Sequence, residues 1–427
     1  MFHTVYELDV IPVAEPIYYI IHIIAIVMLI LGSSGIFALL LPVGLDQMEG
    51  AGESKLKSYF NWHYWVGNFG YLFAFGRYII YTPSEDDRLQ LLGSSYLATF
   101  SIFLAIIVLK FSLNLNLLQL NRPGGTPIRQ ISGVLCNGFK NKRKHKSKYT
   151  KLSLFDYAAN ENGGKFNYEE VFDVKTFFKI LFVIVNMTWY FGIYNLLNTE
   201  FPEQGRKISC AKDKYVVSFV ISFGDCVVVA TVLPIFELIR WKFNKIGFSK
   251  ILYKFQFGVI CGFVAVFCAW VINISLYAEE FICTQRKGNN SYFIPHLIRI
   301  LPQTIFIGLS ECLAWVGAME FVYAQSPHHM KGFIFGILQS VTGIGWFIPN
   351  TIRFILYEAS DCINSCETCA VHFNRCFDQT TNDYIYYTIF LGISLVYVVV
   401  FWVITCLYKR RERQKIEQWP EGSQFFH

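Results

Sequence analysis

Two glutamates, Glu311 and Glu320, lie in a stretch that is otherwise apolar and aromatic, GLSECLAWVGAMEFVYAQSPHHMKG at residues 308–332. An ionised carboxylate at the centre of a membrane helix costs about 3 kcal/mol, so such residues usually face a protein interior or a wet cavity and mark the path of a substrate or a proton. In a regular α-helix their spacing corresponds to about two and a half turns, or about 13 Å along the axis. The two side chains would then point to opposite faces, and we expect separate roles for them.

Four other residues within apolar stretches are candidates for the same kind of chemistry. Asp225 is an isolated acid in FGDCVV, and Asn195, in YNLLNT, carries a polar amide. An amide in a membrane helix either contacts a polar ligand or hydrogen-bonds a neighbouring helix, and the sequence leaves both alternatives open. The aromatic pair Tyr64 and Trp65 either faces a pathway or packs against neighbouring helices.

The composition indicates that membrane helices must position these residues. Of the 427 residues, 54% are hydrophobic and only 16% are charged, and the mean hydropathy is +0.38. We predict an all-α integral membrane protein with about nine spans, each long enough to cross a bilayer core of about 30 Å. The predicted spans are Ile17 to Val43, Trp62 to Tyr81, Leu91 to Leu118, Phe172 to Leu196, Val216 to Ile239, Ile251 to Tyr277, His296 to Phe321, Phe333 to Leu356 and Tyr384 to Tyr408.

Basic residues indicate the orientation of the spans. If the spans alternate, five basic segments fall on one side, and cytoplasmic loops carry an excess of Lys and Arg. We therefore predict a cytoplasmic C-terminus, a lipid bilayer as the surrounding medium and no nucleic-acid partner for the basic run at residues 140–151. The five segments are Lys55 with Lys57, Lys140 to Lys151, Arg240 to Lys250, Lys331, and Lys409 to Lys415.

The sequence contains no motif typical of a nucleotide-binding or hydrolytic enzyme. It has no Walker A loop, no GxGxxG ahead of a helix, no GxSxG and no HExxH. We therefore predict that the protein is not an enzyme and needs no cofactor. The adjacent His328 and His329 would point in different directions on a helix, so we expect no metal site there.

Half of the twelve cysteines fall in segments that the alternation of spans places outside the cytoplasm. An even number of cysteines in an oxidising compartment favours disulfides over a zinc site, although the sequence leaves their pairing open. Asn289, in the NNS sequon of an outer loop, is a candidate for glycosylation. The six disulfide candidates are Cys210, Cys283, Cys362, Cys366, Cys369 and Cys376.

Several motifs resemble those of one transporter family. FNWHYWVGNFG at residues 60–70 is similar to the FNWFYWxINxG signature of the proton-dependent oligopeptide transporters, the solute carrier family 15 branch of the major facilitator superfamily. GSSGIFALLLPVGLDQM at residues 32–48 is similar to that family's GTGGIKPxxxxFGxDQF, with Phe37 in place of the lysine. MEFVYAQSPHHMKG at residues 319–332 resembles EFxYSQAPxxMKG.

Two weaker matches keep the family's order, NRPGGTP at residues 121–127 and LPIFELIRWKFNK at residues 233–245. The segment DYAANENGGKFNYEEVFDVK at residues 156–175 is similar to the linker of the animal peptide/histidine-type members. The motif register implies that the nine spans are the family's helices four to twelve and that the chain lacks the first three helices and their ExxER motif. The implied domains are residues 1–119 with helices four to six, a basic cytoplasmic linker at 120–171, a complete six-helix half at 172–408 and a cytoplasmic tail at 409–427.

The resemblance also implies roles for the polar residues. Glu311 matches a tenth-helix glutamate that meets the amino group of a peptide and couples to proton movement. Asn195 falls where many relatives have a cavity-lining glutamine, Tyr64 and Trp65 lie in the fifth-helix signature, and Asp225 is added to the substrate and proton pathway because of its buried charge. Gating or structural roles are expected for three charged residues, Glu320, Lys331 and Asp46.

The function implied by the resemblance is proton-coupled symport of di- or tripeptides, or of related small nitrogenous solutes such as amino acids, by alternating access. Protons would be the coupling ion, and the location would be a plasma or endolysosomal membrane. The alternative is a non-transporting membrane protein, either a truncated paralogue or the product of an incomplete gene model.

Overall fold

The computed structural model describes residues 15–48, 50–81, 87–118, 126–144, 153–209, 214–242, 251–279, 298–364 and 374–417. These residues are nearly all helical, and one isolated bridge joins Ala159 to Phe166. The α-helices are α1 (Glu15–Asp46), α2 (Glu53–Tyr81), α3 (Asp87–Asn114), α4 (Pro127–Lys144), α5 (Tyr168–Asn186), α6 (Thr188–Asn195), α7 (Glu200–Ser209), α8 (Lys214–Lys242), α9 (Ile251–Glu279), α10 (Leu301–Ser310), α11 (Val316–Gln325), α12 (Lys331–Asn364) and α13 (Asn374–Glu417).

Short helical turns of other types complete the secondary structure. Four are 3₁₀-helices, at Leu154–Ala158, Asn160–Asn162, Ile298–Ile300 and His328–Met330. The fifth is a π-helix at Glu311–Trp315, which joins α10 to α11. The span predicted from His296 to Phe321 is therefore not one regular α-helix.

Eight helical segments of the described residues are long and apolar enough to cross a membrane. The other predicted span, Trp62 to Tyr81, lies on α2, where side chains are described only as far as Leu72. Large apolar side chains such as Leu29, Phe103 and Phe347 are exposed on the membrane helices, where lipid can cover them. The predicted all-α membrane fold is confirmed.

The chain divides into two compact units. The first comprises residues 1–59, 70–175 and 326–339, and the second comprises residues 60–69, 176–325 and 340–427. The domain boundaries inferred from the sequence follow the family register rather than compactness, and they stay predictions.

In the first unit, part of the predicted basic linker has a defined fold. The helix α4 packs against the 3₁₀-helix Leu154–Ala158, and Asn141 donates hydrogen bonds to the carbonyl oxygens of Tyr157 (3.0 Å) and Gly163 (3.1 Å). Burial alone would raise the pKa of Asp156, but hydrogen bonds from Lys175 and Ser153 outweigh that effect and hold the pKa below its ordinary value. The ion pair between Asp156 and Lys175 ties the 3₁₀-helix Leu154–Ala158 to α5.

In the second unit, α9 is the central helix. It packs against α13, α10, the π-helix, α11 and α6, while α8 packs against α10 and α7. Gly258 of α9 permits the closest of these approaches, because a Cβ atom at that position would lie 2.4 Å from the backbone nitrogen of Ala314. The helices that surround the π-helix thereby meet around Glu311.

Candidate functional site

Glu311 is the first residue of the π-helix, and its carboxyl group is the centre of the candidate site. A π-helix has i→i+5 hydrogen bonds, and in membrane and soluble proteins alike such turns are frequently found at functional sites. The hydroxyl group of Ser310 donates a hydrogen bond to the carbonyl oxygen of Gly258, at 2.7 Å, and ties this turn to α9. The predicted half-turn between Glu311 and Glu320 assumed a continuous α-helix, and that assumption was wrong.

Two tyrosine hydroxyl groups donate hydrogen bonds to Oε1 of Glu311. One belongs to Tyr64 of α2, and the other belongs to Tyr194 of α6 at 3.0 Å. Both phenol rings lie beside the indole of Trp315, with ring centroids 6.2 Å and 5.4 Å away, so the π-helix itself helps to position the two donors. Glu311 is 2% exposed, whereas both tyrosines are partly exposed.

The carboxyl group of Asp225 completes the site. Asp225 is 3% exposed on α8, and its carboxyl group lies within hydrogen-bonding range of that of Glu311. Gly308 of α10 makes room for it, since a Cβ atom there would lie 3.0 Å from Oδ1 of Asp225. Among the described residues, neither Oδ1 of Asp225 nor Oε2 of Glu311 accepts a hydrogen bond from a donor group.

This arrangement combines two buried carboxyl groups with two hydroxyl donors. Such a site can hold a proton, or it can bind a cationic amine by charge-assisted hydrogen bonds. Two of the predicted pathway residues, Tyr64 and Asp225, thus meet Glu311 directly. The contact itself assigns no transport role to them.

Glu320 has a different partner. Its Oε1 lies 2.8 Å from Nζ of Lys254, near the start of α9, and the two side chains are 6% and 16% exposed. An ion pair with a lysine is compatible with the structural role predicted for this residue. Its part in gating stays a prediction.

The other two pathway candidates form contacts between helices. The side-chain amide of Asn195 donates a hydrogen bond to the carbonyl oxygen of Trp346 on α12, at 2.8 Å. The indole nitrogen of Trp65 donates to the carbonyl oxygen of Ala230 on α8, at 2.9 Å, and its ring stacks on Phe69 at 5.3 Å. Both contacts correspond to the structural alternative, and the pathway role stays a prediction.

The remaining candidates are not brought to this site by the described contacts. Asp46 is half-buried at the end of α1, and Lys331 is half-buried at the start of α12. Asn289 and four of the disulfide candidates lie outside the described residues, and the side chains of Cys362 and Cys376 are likewise not described, so disulfide pairing and glycosylation stay predictions. The four candidates outside the described residues are Cys210, Cys283, Cys366 and Cys369.

Sequence reasoning missed Tyr194 and Lys254. Tyr194 directly precedes Asn195, and the one feature of the sequence that could have identified it is a phenol group within a predicted span. Lys254 lies three residues after the start of a predicted span, where a lysine is costly unless an acid pairs with it.

Sequence reasoning also missed a charged cluster that joins three helices. Arg353 of α12 bonds to Glu200 of α7 and, at 3.1 Å, to Asp383 of α13, which also pairs with Lys207 of α7. These residues are far apart along the chain, so no short sequence motif predicts the cluster.

Comparisons with known proteins point to one family. The family model described as "POT family" matches residues 3–367. Solute carrier family 15 member 3 of Mus musculus is 22% identical over 429 aligned positions, which cover 92% of this chain and 71% of the relative. Protein NRT1/PTR FAMILY 8.1 of Arabidopsis thaliana is 22% identical over 381 positions, which cover 78% of this chain and 65% of the relative.

Two solved structures share the fold. A crystal structure of an auto-inhibited POT family peptide transporter superposes with a TM-score of 0.53 over 91% of this chain and 76% of that one. The in meso crystal structure of the POT family transporter PepTSo superposes with a TM-score of 0.55 over 88% and 75%. Both are 14% identical to this chain, so the similarity establishes the fold alone.

Proposed function

The chain belongs to the POT family, and on that premise we propose that it carries di- or tripeptides, or related small nitrogenous solutes, across a membrane together with protons. Transport would follow alternating access, in which two halves of the protein rock around a site near the middle of the membrane. The family and both structural neighbours are transporters rather than enzymes, in agreement with the sequence. Protons are the proposed coupling ion.

The observation that carries this proposal is the environment of Glu311. Its carboxyl group is buried in a membrane helix, at an interruption of that helix, and it accepts hydrogen bonds from Tyr64 and Tyr194. A buried carboxylate is costly unless a proton or a cation neutralises it. Two such neutralising groups are a proton and the protonated amino group of a peptide. A carrier that reorients only when both buried acids of the site, Glu311 and Asp225, are neutralised, by a proton and an amino group together, would couple the two.

The orientation and location belong to the same proposal. The basic segments of the sequence place the C-terminal tail in the cytoplasm by the positive-inside rule. In either a plasma or an endolysosomal membrane, the proton gradient would be directed into the cytoplasm. Neither organic cofactor nor metal ion has a part in this scheme.

Uptake by the full chain in proteoliposomes tests the proposal. A radiolabelled dipeptide, alanyl-alanine, is offered outside the vesicles with an inward proton gradient, with and without a protonophore. We expect uptake that the protonophore suppresses and that Glu311→Gln reduces to the level of empty liposomes. The matched control is Glu161→Gln, the same change at an exposed position of the linker, which should retain the wild-type rate.

Two results would contradict the proposal in different ways. Absence of uptake by correctly folded wild-type protein would favour the alternative of a non-transporting membrane protein. Normal uptake by Glu311→Gln would leave a transporter but remove Glu311 from its mechanism.

A further inference from the structure

The pairing of Asp225 with Glu311 has a consequence for the number of charges in the site. Both carboxyl groups are almost completely buried, they lie within hydrogen-bonding range of each other, and each has an oxygen without a donor among the described residues. Two carboxylates have no hydrogen to share and repel each other, whereas a carboxylic acid can donate to a carboxylate. One proton between them would therefore supply the missing donor and remove the repulsion.

Among the described residues, no positively charged side chain acts on either carboxyl group in place of this proton. In the described part of the chain, the titratable groups that act on one or both carboxyl groups are three phenols and two thiols. Lys254 acts on the thiol of Cys312, but its ion-pair partner is Glu320. The phenols and thiols are Tyr64, Tyr190, Tyr194, Cys226 and Cys312.

The two carboxyl groups are not equivalent. Glu311 accepts hydrogen bonds from two tyrosine hydroxyl groups on its Oε1 atom, and such bonds favour the ionised form of a carboxyl group. Asp225 has no comparable donor: in the described residues its Oδ1 atom accepts no hydrogen bond, and its hydrogen-bonding neighbour is Glu311 itself. Of the two, Asp225 is therefore the better place for the proton, and Glu311 is the better place for a negative charge.

We propose that Asp225 and Glu311 share one proton in an acid–acid hydrogen bond and that this pair is the binding site of the coupling proton. This inference rests on the proposed function. Charge counting gives its consequence: two carboxylates are neutralised by one proton together with one ammonium group of the substrate. The proton bound at Asp225 thus leaves Glu311 to bind the amine, and the loaded site is neutral. Without Asp225, the ammonium group alone would neutralise Glu311, and transport would no longer require a proton.

Asp225→Asn separates this inference from a structural role. The amide keeps the shape of the side chain and can donate a hydrogen bond to Glu311. Counterflow of dipeptide, which needs only substrate exchange, should persist in this variant. Accumulation driven by a proton gradient should be lost. With the membrane potential clamped by potassium and valinomycin, one proton per peptide gives about tenfold accumulation for a gradient of about one pH unit, and the variant should give none.

Infrared difference spectroscopy gives a second readout that does not depend on transport. The wild-type protein near neutral pH should show the carbonyl stretch of a protonated carboxyl group, which shifts in D2O. That band should disappear in Asp225→Asn. In Glu311→Gln it should shift in frequency, because the acid at Asp225 then donates its hydrogen bond to an amide oxygen instead of a carboxylate. Glu161→Gln is the matched control, because the carboxyl group of Glu161 is exposed and should not contribute to the band.

The outcomes distinguish the inference from the proposed function. If the band survives in Asp225→Asn, does not shift in Glu311→Gln, or is absent from the wild-type protein, the shared proton is refuted whether or not the protein transports. If Asp225→Asn accumulates dipeptide as well as the wild type, the pair is not the coupling site, although proton-coupled transport stands. If wild-type protein shows the band but neither counterflow nor accumulation, the proposed function fails while the shared proton remains.

Discussion

Replacing Lys254 by methionine should destabilise the fold strongly, because it leaves Glu320 buried without its positive partner. Methionine keeps an unbranched side chain, so the packing of α9 against α11 is largely retained. The ammonium group and the carboxylate are 2.8 Å apart, and their side chains are 16% and 6% exposed. At this distance, and with an effective dielectric constant of about 20, their attraction is about 6 kcal/mol before desolvation is counted.

The measured loss should be smaller than this attraction, because desolvation of both groups opposes it in the native protein. Removal of one partner from a buried ion pair costs about 3 to 5 kcal/mol, while replacement of both partners by apolar residues is often nearly neutral. We therefore expect Lys254→Met to lower the free energy of unfolding by about 3 to 5 kcal/mol. The double variant with Glu320→Met should recover most of that loss.

Unfolding by denaturant in detergent micelles, followed by tryptophan fluorescence, measures these differences. The wild type, the two single variants and the double variant form a double-mutant cycle, which isolates the interaction between the two side chains. A loss below about 1 kcal/mol for Lys254→Met would show that the pair behaves as an exposed one. A double variant no more stable than Lys254→Met would mean that packing, rather than the unpaired carboxylate, accounts for the loss.

Three further predictions concern other parts of the chain. Gly258→Ala should lower the free energy of unfolding by about 1 to 3 kcal/mol in the same assay, because the added methyl group would overlap the π-helix. Gly343 has open space around it, so Gly343→Ala should change the free energy of unfolding by less than about 1 kcal/mol. Amide-exchange protection of residues 154–166 should be lost as the pH falls through the lowered pKa of Asp156. Asp156→Asn, which removes the ion pair with Lys175, should reduce protection already at neutral pH. Tyr64→Phe should raise the half-saturating dipeptide concentration for uptake about tenfold, because it removes a hydrogen bond of about 1.5 kcal/mol from the site. An unchanged half-saturating concentration would show that this hydroxyl group does not contribute to substrate binding.

The sequence was sufficient to predict the fold and the family. Apolar stretches of membrane length predicted an all-α membrane protein, and several motifs in a fixed order predicted its transporter family, both of which are confirmed. These features are encoded locally, since span length depends on a run of residues and a motif on a few neighbours. The cost of buried charge also identified Glu311, Asp225 and Glu320 as residues that require partners.

The partners themselves could not be predicted. The π-helix that begins at Glu311 packs closely on α9, where Gly258 lies against Ala314, and these two residues belong to different helices. Likewise, the hydroxyl group of Tyr194 reaches Glu311 only because α6 packs beside α9 and the π-helix. Periodicity along one helix contains no information about such contacts, which arise from the packing of several helices.

Coupled movement of protons and dipeptide is the central claim, and the pH inside proteoliposomes tests it most directly. Full-length protein is reconstituted with a pH-sensitive dye in the vesicle lumen, without an initial proton gradient, and alanyl-alanine is added outside. The account predicts acidification of the lumen by the wild-type protein and none by Glu311→Gln. Entry of radiolabelled dipeptide without acidification, or equal acidification by Glu311→Gln, would contradict it.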